Sequence, residues 1–436
     1  MIDAGAGDSA IGMVPFMTPF SPLNWFRSPA SQASCRTALS CEASLDEAVR
    51  QVADELGSAE ADLALVFVSS HFASDLPRLL PLLHKRLQST HWLGAVGGGV
   101  IGTDRSGKAS EVERNAALSV TLLNLPGAVL QPFAVATDNL PDLDGSSEAW
   151  HRWFGLDPNT TRAMLLLVDP GSSGINDLIS GRDYGYPAAA CIGGIAAPHN
   201  APHGSLLSGD QVVSGAVGLG IGGDWTLDPV VAQGCRPIGP VFAIEQSHRN
   251  VLLQLSEGSR RDSPVACLQR VLAELTEDER EMAKDSLFLG VERRDLLIGG
   301  NQPSEPGSAF LVRNLIGVDP RNGAVAVAER VRPGQNVQFQ LREANASRQE
   351  ASQLLCAARE RAERPPLLGL LFACLGRGSG LFGAADGDVS IARSVMADLP
   401  ISGAFCNGEI GPLGGSTHLH GYTACWGLLR QAPLSS

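Results

Sequence analysis

No stretch of this 436-residue chain concentrates lysine and arginine, and the formal charge is −13. The phosphate backbone of nucleic acid would be repelled, and so would an anionic membrane surface. No apolar run approaches the roughly 18 residues that a spanning helix needs. The start Met13–Phe20 is apolar, but prolines break it and no basic segment precedes it, so it does not read as a secretory leader. A transit peptide would be richer in arginine and poorer in acid than the first 30 residues are. The nine cysteines form no CxxC pair, and no cysteine–histidine spacing fits a zinc site. They are odd in number, and most lie in apolar runs such as Ala188–Ile192. Buried free thiols in a reducing cytoplasm are the expectation. Gly97–Gly99 is not followed by a helix carrying Lys-Ser/Thr, and it is not a GxGxxG fingerprint. No cofactor or metal is expected.

What the chain does have is glycine, 49 residues or about one in nine. That density favours many tight junctions between strands and loops over long helices. The length is too great for one ordinary core. An order of elements recurs three times. An apolar strand is followed by a polar loop, a helix or turn, and then an apolar-Gly-apolar-Gly segment and a closing strand. The strands begin near Ala61, Ala163 and Leu367. From strand start to Gly cluster the spacing is 31 residues (63 to 94), 29 (164 to 193) and 36 (367 to 403). Such units are strand–helix–strand supersecondary motifs, and their shared ending points to duplication. The fold class expected is α/β in the mixed α+β sense: two domains of mixed sheets covered by helices, built from strand–helix–Gly-turn–strand repeats.

Residues 1–44 read as a flexible arm, Pro/Ser/Gly-rich at its start. Ser44 and Glu47 suggest a capping box opening a helix to Leu56. Between the second and third copies lies a different region, with a hairpin around Glu245–Asn250, further strands, and a long helix over Asn345–Glu363. A charged run, Glu277–Asp285, marks a boundary, giving domains at 45–278 and 279–430.

The third copy ends in the chain's most unusual stretch, Ile401–Gly415, with five glycines, a thiol and a carboxylate, followed by Ser416–Gly421 with two histidines. It is the copy whose glycine turn carries a carboxylate, Glu409. Glu409 with the backbone of Gly408 and Gly411 could hold a ligand's amino group, or it could cap amides inside a tight turn. Arg377, between two glycines after a strand, could pair a ligand carboxylate or Glu409 itself. Asn407, Cys406 and His420 complete the candidate ligand site. Cys406 or Cys374 with His420 is also the pattern of a thiol-dependent hydrolase, which needs thiol and imidazole within roughly 4 Å in an open cleft. A third reading is a protein-binding scaffold.

Gly234-Cys235-Arg236-Pro237-Ile238-Gly239-Pro240 resembles a turn of the FIST N-terminal domain. Cys374–Gly378, Phe382-Gly383, Gly408–Pro412 and His420–Thr423 resemble the FIST C-terminal domain, with Leu375 where relatives often carry Asn. The resemblance spans about residues 45 to 425, and no F-box pattern precedes it. It implies a sensory, non-enzymatic protein of signal transduction that binds a small molecule such as an amino acid. With no signalling domain attached, the output would pass through a separate signalling partner.

Overall fold

The computed structural model describes residues 32–293 and 310–433. Three units of one design are present. The first runs β1 (Ser34–Ser40), α1 (Leu45–Leu56), β2 (Ala61–Ser69), α2 (Leu76–His84), β3 (Ser89–Gly97), β4 (Val100–Thr103), β5 (Ala109–Val112) and β6 (Leu118–Asn124). The second runs β7 (Ala128–Val135), α3 (Ser147–Phe154), β8 (Thr161–Val168), α4 (Ile175–Gly185), β9 (Ala190–Ile195), β10 (Leu206–Ser208), β11 (Gln211–Val213) and β12 (Ala216–Gly223).

The third opens with β13 (Trp225–Ala232) and is then interrupted. The insertion comprises β14 (Cys235–Pro237), β15 (Phe242–His248), β16 (Val251–Glu257), β17 (Arg260–Asp262), α5 (Pro264–Glu274), α6 (Glu277–Ser286), β18 (Leu287–Glu292), β19 (Phe310–Asp319), β20 (Ala324–Val327) and β21 (Asn336–Arg342). The unit resumes with α7 (Ala344–Arg361), β22 (Leu368–Cys374), α8 (Ser379–Phe382), α9 (Gly387–Val395), β23 (Ile401–Cys406), β24 (Glu409–Leu413), β25 (Ser416–His420) and β26 (Ala424–Gln431). The mixed α+β class expected from the sequence is the class observed.

Each unit builds four strands of a sheet and lends a hairpin to another unit. The sheets read β1-β6-β2-β3-β10-β11, β7-β12-β8-β9-β24-β25 and β13-β26-β22-β23-β4-β5. The central pair in each is parallel, joined through helices, and its neighbours are antiparallel. The second unit's hairpin extends the first sheet, the third's extends the second, and the first's extends the third. This cyclic exchange is a pseudo-threefold. It explains the recurring glycines. Gly94, Gly193 and Gly403 hold the same register beside Val66, Leu166 and Leu371. A Cβ on each would lie 1.9, 1.7 and 1.9 Å from those residues' carbonyl oxygens. The repeated glycine is there for close backbone approach.

The inner faces of the three sheets share one core, where Phe67 meets Phe372 edge-on at 5.9 Å. Helices cover the outer faces. In α1 the residues Leu45, Ala48, Val49, Val52 and Leu56 are buried, and each large aliphatic side chain so buried contributes about 1.5–3 kcal/mol. Ser44 is the N-cap, but its side chain bonds no helix amide, and Glu47 pairs with Arg50 instead of closing a capping box. The insertion closes on itself: β21, β15, β16, β20, β19 and β18 pair in turn, and β18 returns to β21. This six-stranded antiparallel barrel has its own core, with Phe242, Leu252, Val325 and Phe339.

Several local expectations change. Part of the expected arm, Ser34–Ser40, is a strand paired along its length with β6, while residues 1–31 lie outside the described residues. The charged run is helix α6, opened by a true capping box of Thr276 and Glu279, and it packs on barrel strands. The expected Gly408–Gly415 loop is the hairpin β24–β25, with its turn at Gly414-Gly415.

Candidate functional site

Register explains where Glu409 sits. It pairs with Gly194 on one side and His420 on the other. The corresponding hairpin positions in the other units, judged by the glycine registers, are Val100 and Leu206, both core residues. A carboxyl therefore occupies an apolar position in the shared core, and Glu409 is fully buried. Its Oε2 accepts from the Thr423 amide at 3.1 Å, while Oε1 has no partner. The nearby Cys374 thiol favours the carboxylate. Burial dominates and pushes the Glu409 carboxyl well above the usual carboxylate range, against the weaker pull of the Thr423 amide and Arg377. Glu409 thus faces protein.

Arg377 does not pair with Glu409. It is buried and gripped by Asp388 of α9, Nε to Oδ2 at 2.8 Å and Nη2 to Oδ1 at 2.7 Å, with Ser347 Oγ at 2.8 Å and the Tyr422 carbonyl at 3.3 Å. Burial alone would lower its pKa, but Asp388 outweighs burial and raises it. The expected contact with a ligand carboxylate gives way to an internal clamp joining the β22 loop, α7 and α9.

The thiols lack the catalytic arrangement. Cys374 and Cys406 are in-register neighbours on β22 and β23, facing the shared core. Cys374 accepts from the Gly376 amide and is pushed by burial to about 11, and Cys406 is raised well above its ordinary value by burial and Glu409. Such thiols are poor nucleophiles. Among the described residues neither hydrogen-bonds an imidazole: His420 Nε2 instead donates to the Gly411 carbonyl at 3.0 Å. Gly408 and Gly411 are buried, Gly408 with φ +144° and Gly411 against Val231 and Cys425, whereas Asn407 is exposed and donates its amide to the Ile195 carbonyl.

Of the residues singled out, His420 alone reaches a cavity. A cleft of about 1200 Å³ opens between the barrel and the second sheet's end. One wall is α4 with the strand β25, including His418, His420 and Gly421, and the other is barrel strands β19 and β20. The walls carry opposite charge. Asp177 and Asp183 lie on α4, and Arg313 and Arg330 on the barrel. Arg313 pairs with Glu329 at 2.9 Å, and Asp183 accepts from Thr417 N at 2.6 Å and Oγ1 at 2.7 Å.

The β25 wall carries two imidazoles, 6.0 Å apart at their centroids. His418 is 9% exposed and His420 3% exposed. His418 Nε2 and His420 Nδ1 are buried without a partner. Burial, then the Arg313 charge and for His418 also Arg293, depress both to about 3. Both rings are neutral. Because His420 donates from Nε2, its orphan Nδ1 is an acceptor. Little in the sequence marks Arg313, Arg330, Asp177 or Asp183. Charges brought together from a barrel strand, its neighbour and a distant helix leave no spacing pattern. Among the described residues no group of His, Cys, Asp or Glu is placed to hold a metal ion, and no helix is long and apolar enough to cross a membrane.

Comparison with known proteins places the chain in a family. The FIST N domain matches residues 62–257 and the FIST C domain residues 264–412, the two regions meeting between β16 and α5 of the barrel. An uncharacterized protein of Mycobacterium tuberculosis is 31% identical over 385 residues, covering 88% of this chain and 94% of its own. Another, of Mycobacterium bovis, is 29% identical over 384 residues, with the same two coverages of 88% and 94%.

Proposed function

The chain belongs to the FIST family, whose domains mark sensory and signal-transduction proteins, and we propose that it is a sensor holding a small zwitterion of the amino-acid class in the cleft between α4–β25 and the barrel. One observation carries this reading: oppositely charged walls flank two buried imidazole nitrogens that lack donors. A ligand carboxylate suits Arg330, an exposed cation with no ion-pair partner among the described residues. A ligand ammonium suits Asp177 across the cleft, and its N–H groups suit the imidazole acceptors. The site thus lies beside the Glu409 turn and not on it. The output passes to a separate signalling protein. This function needs no reactive thiol.

A thermal-shift screen of the proteinogenic L-amino acids tests this. A ligand present at about a hundred times its Kd should stabilise the fold by ~2.7 kcal/mol. The double variant Asp177→Asn/Arg330→Gln should lose that shift while its ligand-free melting temperature stays put, since both side chains are exposed. If no amino acid shifts the melting point, or the shift survives the double variant, the assignment is wrong.

A further inference from the structure

Four consecutive residues, His420 to Thr423, touch three separate parts of the molecule. His420 and Gly421 line the cleft, and a Cβ on Gly421 would stand 3.9 Å from Asn314 Oδ1 of the barrel. Tyr422 lies under the barrel. The Arg342 guanidinium stands 4.3 Å from its ring centroid, and the Phe288 ring meets it edge-on at 4.9 Å. Arg342 also donates to the Gly376 carbonyl at 3.0 Å, fixing the barrel to the β22 loop. Thr423 gives its amide to Glu409 at 3.1 Å.

Two features of this segment are costly and need a reason. Tyr422 has φ +63°, a left-handed conformation that a bulky residue adopts at a cost of about 1–3 kcal/mol. Glu409 places a carboxyl with an orphan oxygen where the sister units use Val100 and Leu206. Either would be dispensable if the segment only linked two strands. Together they hold a strained turn at one end, by a buried carboxyl where the first unit's equivalent amide, Ala117, bonds the Ser69 hydroxyl, while the barrel grips its middle.

We propose that His420–Thr423 is a coupling segment that reports filling of the cleft as a change in barrel docking, with the Glu409 carboxyl as its latch and Arg342 on Tyr422 as its lever. The proposal rests on the cleft being the ligand site. Glu409 is then a positioning residue: it acts on the cleft through the Thr423 amide and the backbone that carries His420. An occupant that engages His420 or Gly421 pulls on a turn already held against its preferred conformation. The barrel, seated on Tyr422, moves with it.

Hydrogen exchange on the full chain without any added ligand tests the mechanical link alone. Glu409→Leu, which copies the sister units, should speed exchange at Thr423 about tenfold, the change expected for one lost hydrogen bond. Exchange in β18 and β21, which carry Phe288 and Arg342, should rise as well, while β2 and β3 keep wild-type protection. Glu409→Gln retains an acceptor and should keep the Thr423 amide protected relative to the other amides of the chain, as in wild type. Tyr422→Gly, which removes both strain and lever, should loosen β18 and β21 with Thr423 still protected.

An equimolar mixture of the proteinogenic L-amino acids should slow exchange over His420–Thr423 in wild type and have less effect in Glu409→Leu. Unchanged protection of β18 and β21 in both Glu409→Leu and Tyr422→Gly overturns the proposal. So does loosening that spreads equally to β2 and β3, which would make Glu409 an ordinary core residue. If the amino acids leave every amide unchanged, the zwitterion assignment fails, while the ligand-free comparison still decides the link from latch to barrel.

Discussion

Replacing Glu409 by Gln should stabilise the protein increasingly as the pH rises. In the unfolded chain Glu409 titrates at its ordinary 4.5, and in the fold burial raises its pKa well above that. The folded state therefore binds more protons than the unfolded state once the pH passes 4.5, and stability falls as pH increases. Between the unfolded and the folded pKa each pH unit costs ~1.4 kcal/mol. Glutamine has no proton to lose, and its carbonyl still accepts from Thr423. Its amide N–H groups face thiols and lose hydration, a penalty of about 1–3 kcal/mol that does not vary with pH. The two stabilities should therefore diverge with rising pH whatever that fixed offset is. Urea unfolding of both proteins across this range measures the difference. Parallel curves would refute the argument, because they would mean that Glu409 is ionised in the fold and that Arg377, despite its grip on Asp388, compensates it.

The opposite sign is expected at the cleft. His420 is held neutral with its pKa depressed from 6.5 to about 3, so its contribution is complete above pH 6.5 and is lost as the pH falls toward 3. By about pH 5.5 the loss should reach ~1.4 kcal/mol, and His420→Gln should remove that part of the acid sensitivity in urea midpoints; an unchanged acid slope would show that the ring is solvated. Asp388→Asn should lower the melting temperature sharply, by the equivalent of about 3–5 kcal/mol, because it strands the buried Arg377 guanidinium. A loss below ~1 kcal/mol would mean that Arg377 draws its stability from elsewhere.

Much of the repeating architecture could be read from the chain. Apolar runs at Ala61, Ala163 and Leu367, each followed at similar spacing by a glycine pair, located the parallel strands β2–β3, β8–β9 and β22–β23. The cyclic exchange of hairpins could not be read, because β4, β10 and β24 are short and their partners lie far away in sequence. Barrel closure was hidden for the same reason, since β18 meets β21 across some fifty residues. One element near the candidate site was misread. Glycine flanks made Glu409 look like the tip of a loop, whereas strand register decides its burial, and a strand slipped by one residue would turn it outward. His420, two residues from the cleft-facing His418 and paired with Glu409, was the point at which sequence and structure met.

The departures from threefold repetition cluster in the third unit. A duplicated unit keeps a feature in all copies when the feature serves the fold, as Gly94, Gly193 and Gly403 do against facing carbonyls. A feature confined to one copy and unfavourable for folding needs another cause. The third unit has two such features, the acid at the Val100 and Leu206 position and the left-handed Tyr422, beside the barrel inserted between β13 and α7. Each could occur alone as drift. They are instead joined by direct contacts, Glu409 to Thr423 and Arg342 to Tyr422, and they adjoin the cleft whose wall the barrel completes. Two units thus supply the scaffold against which the third works. If the barrel were only a stabilising appendage, its docking would be expected on a smooth apolar face, and not on a strained turn latched to a buried acid.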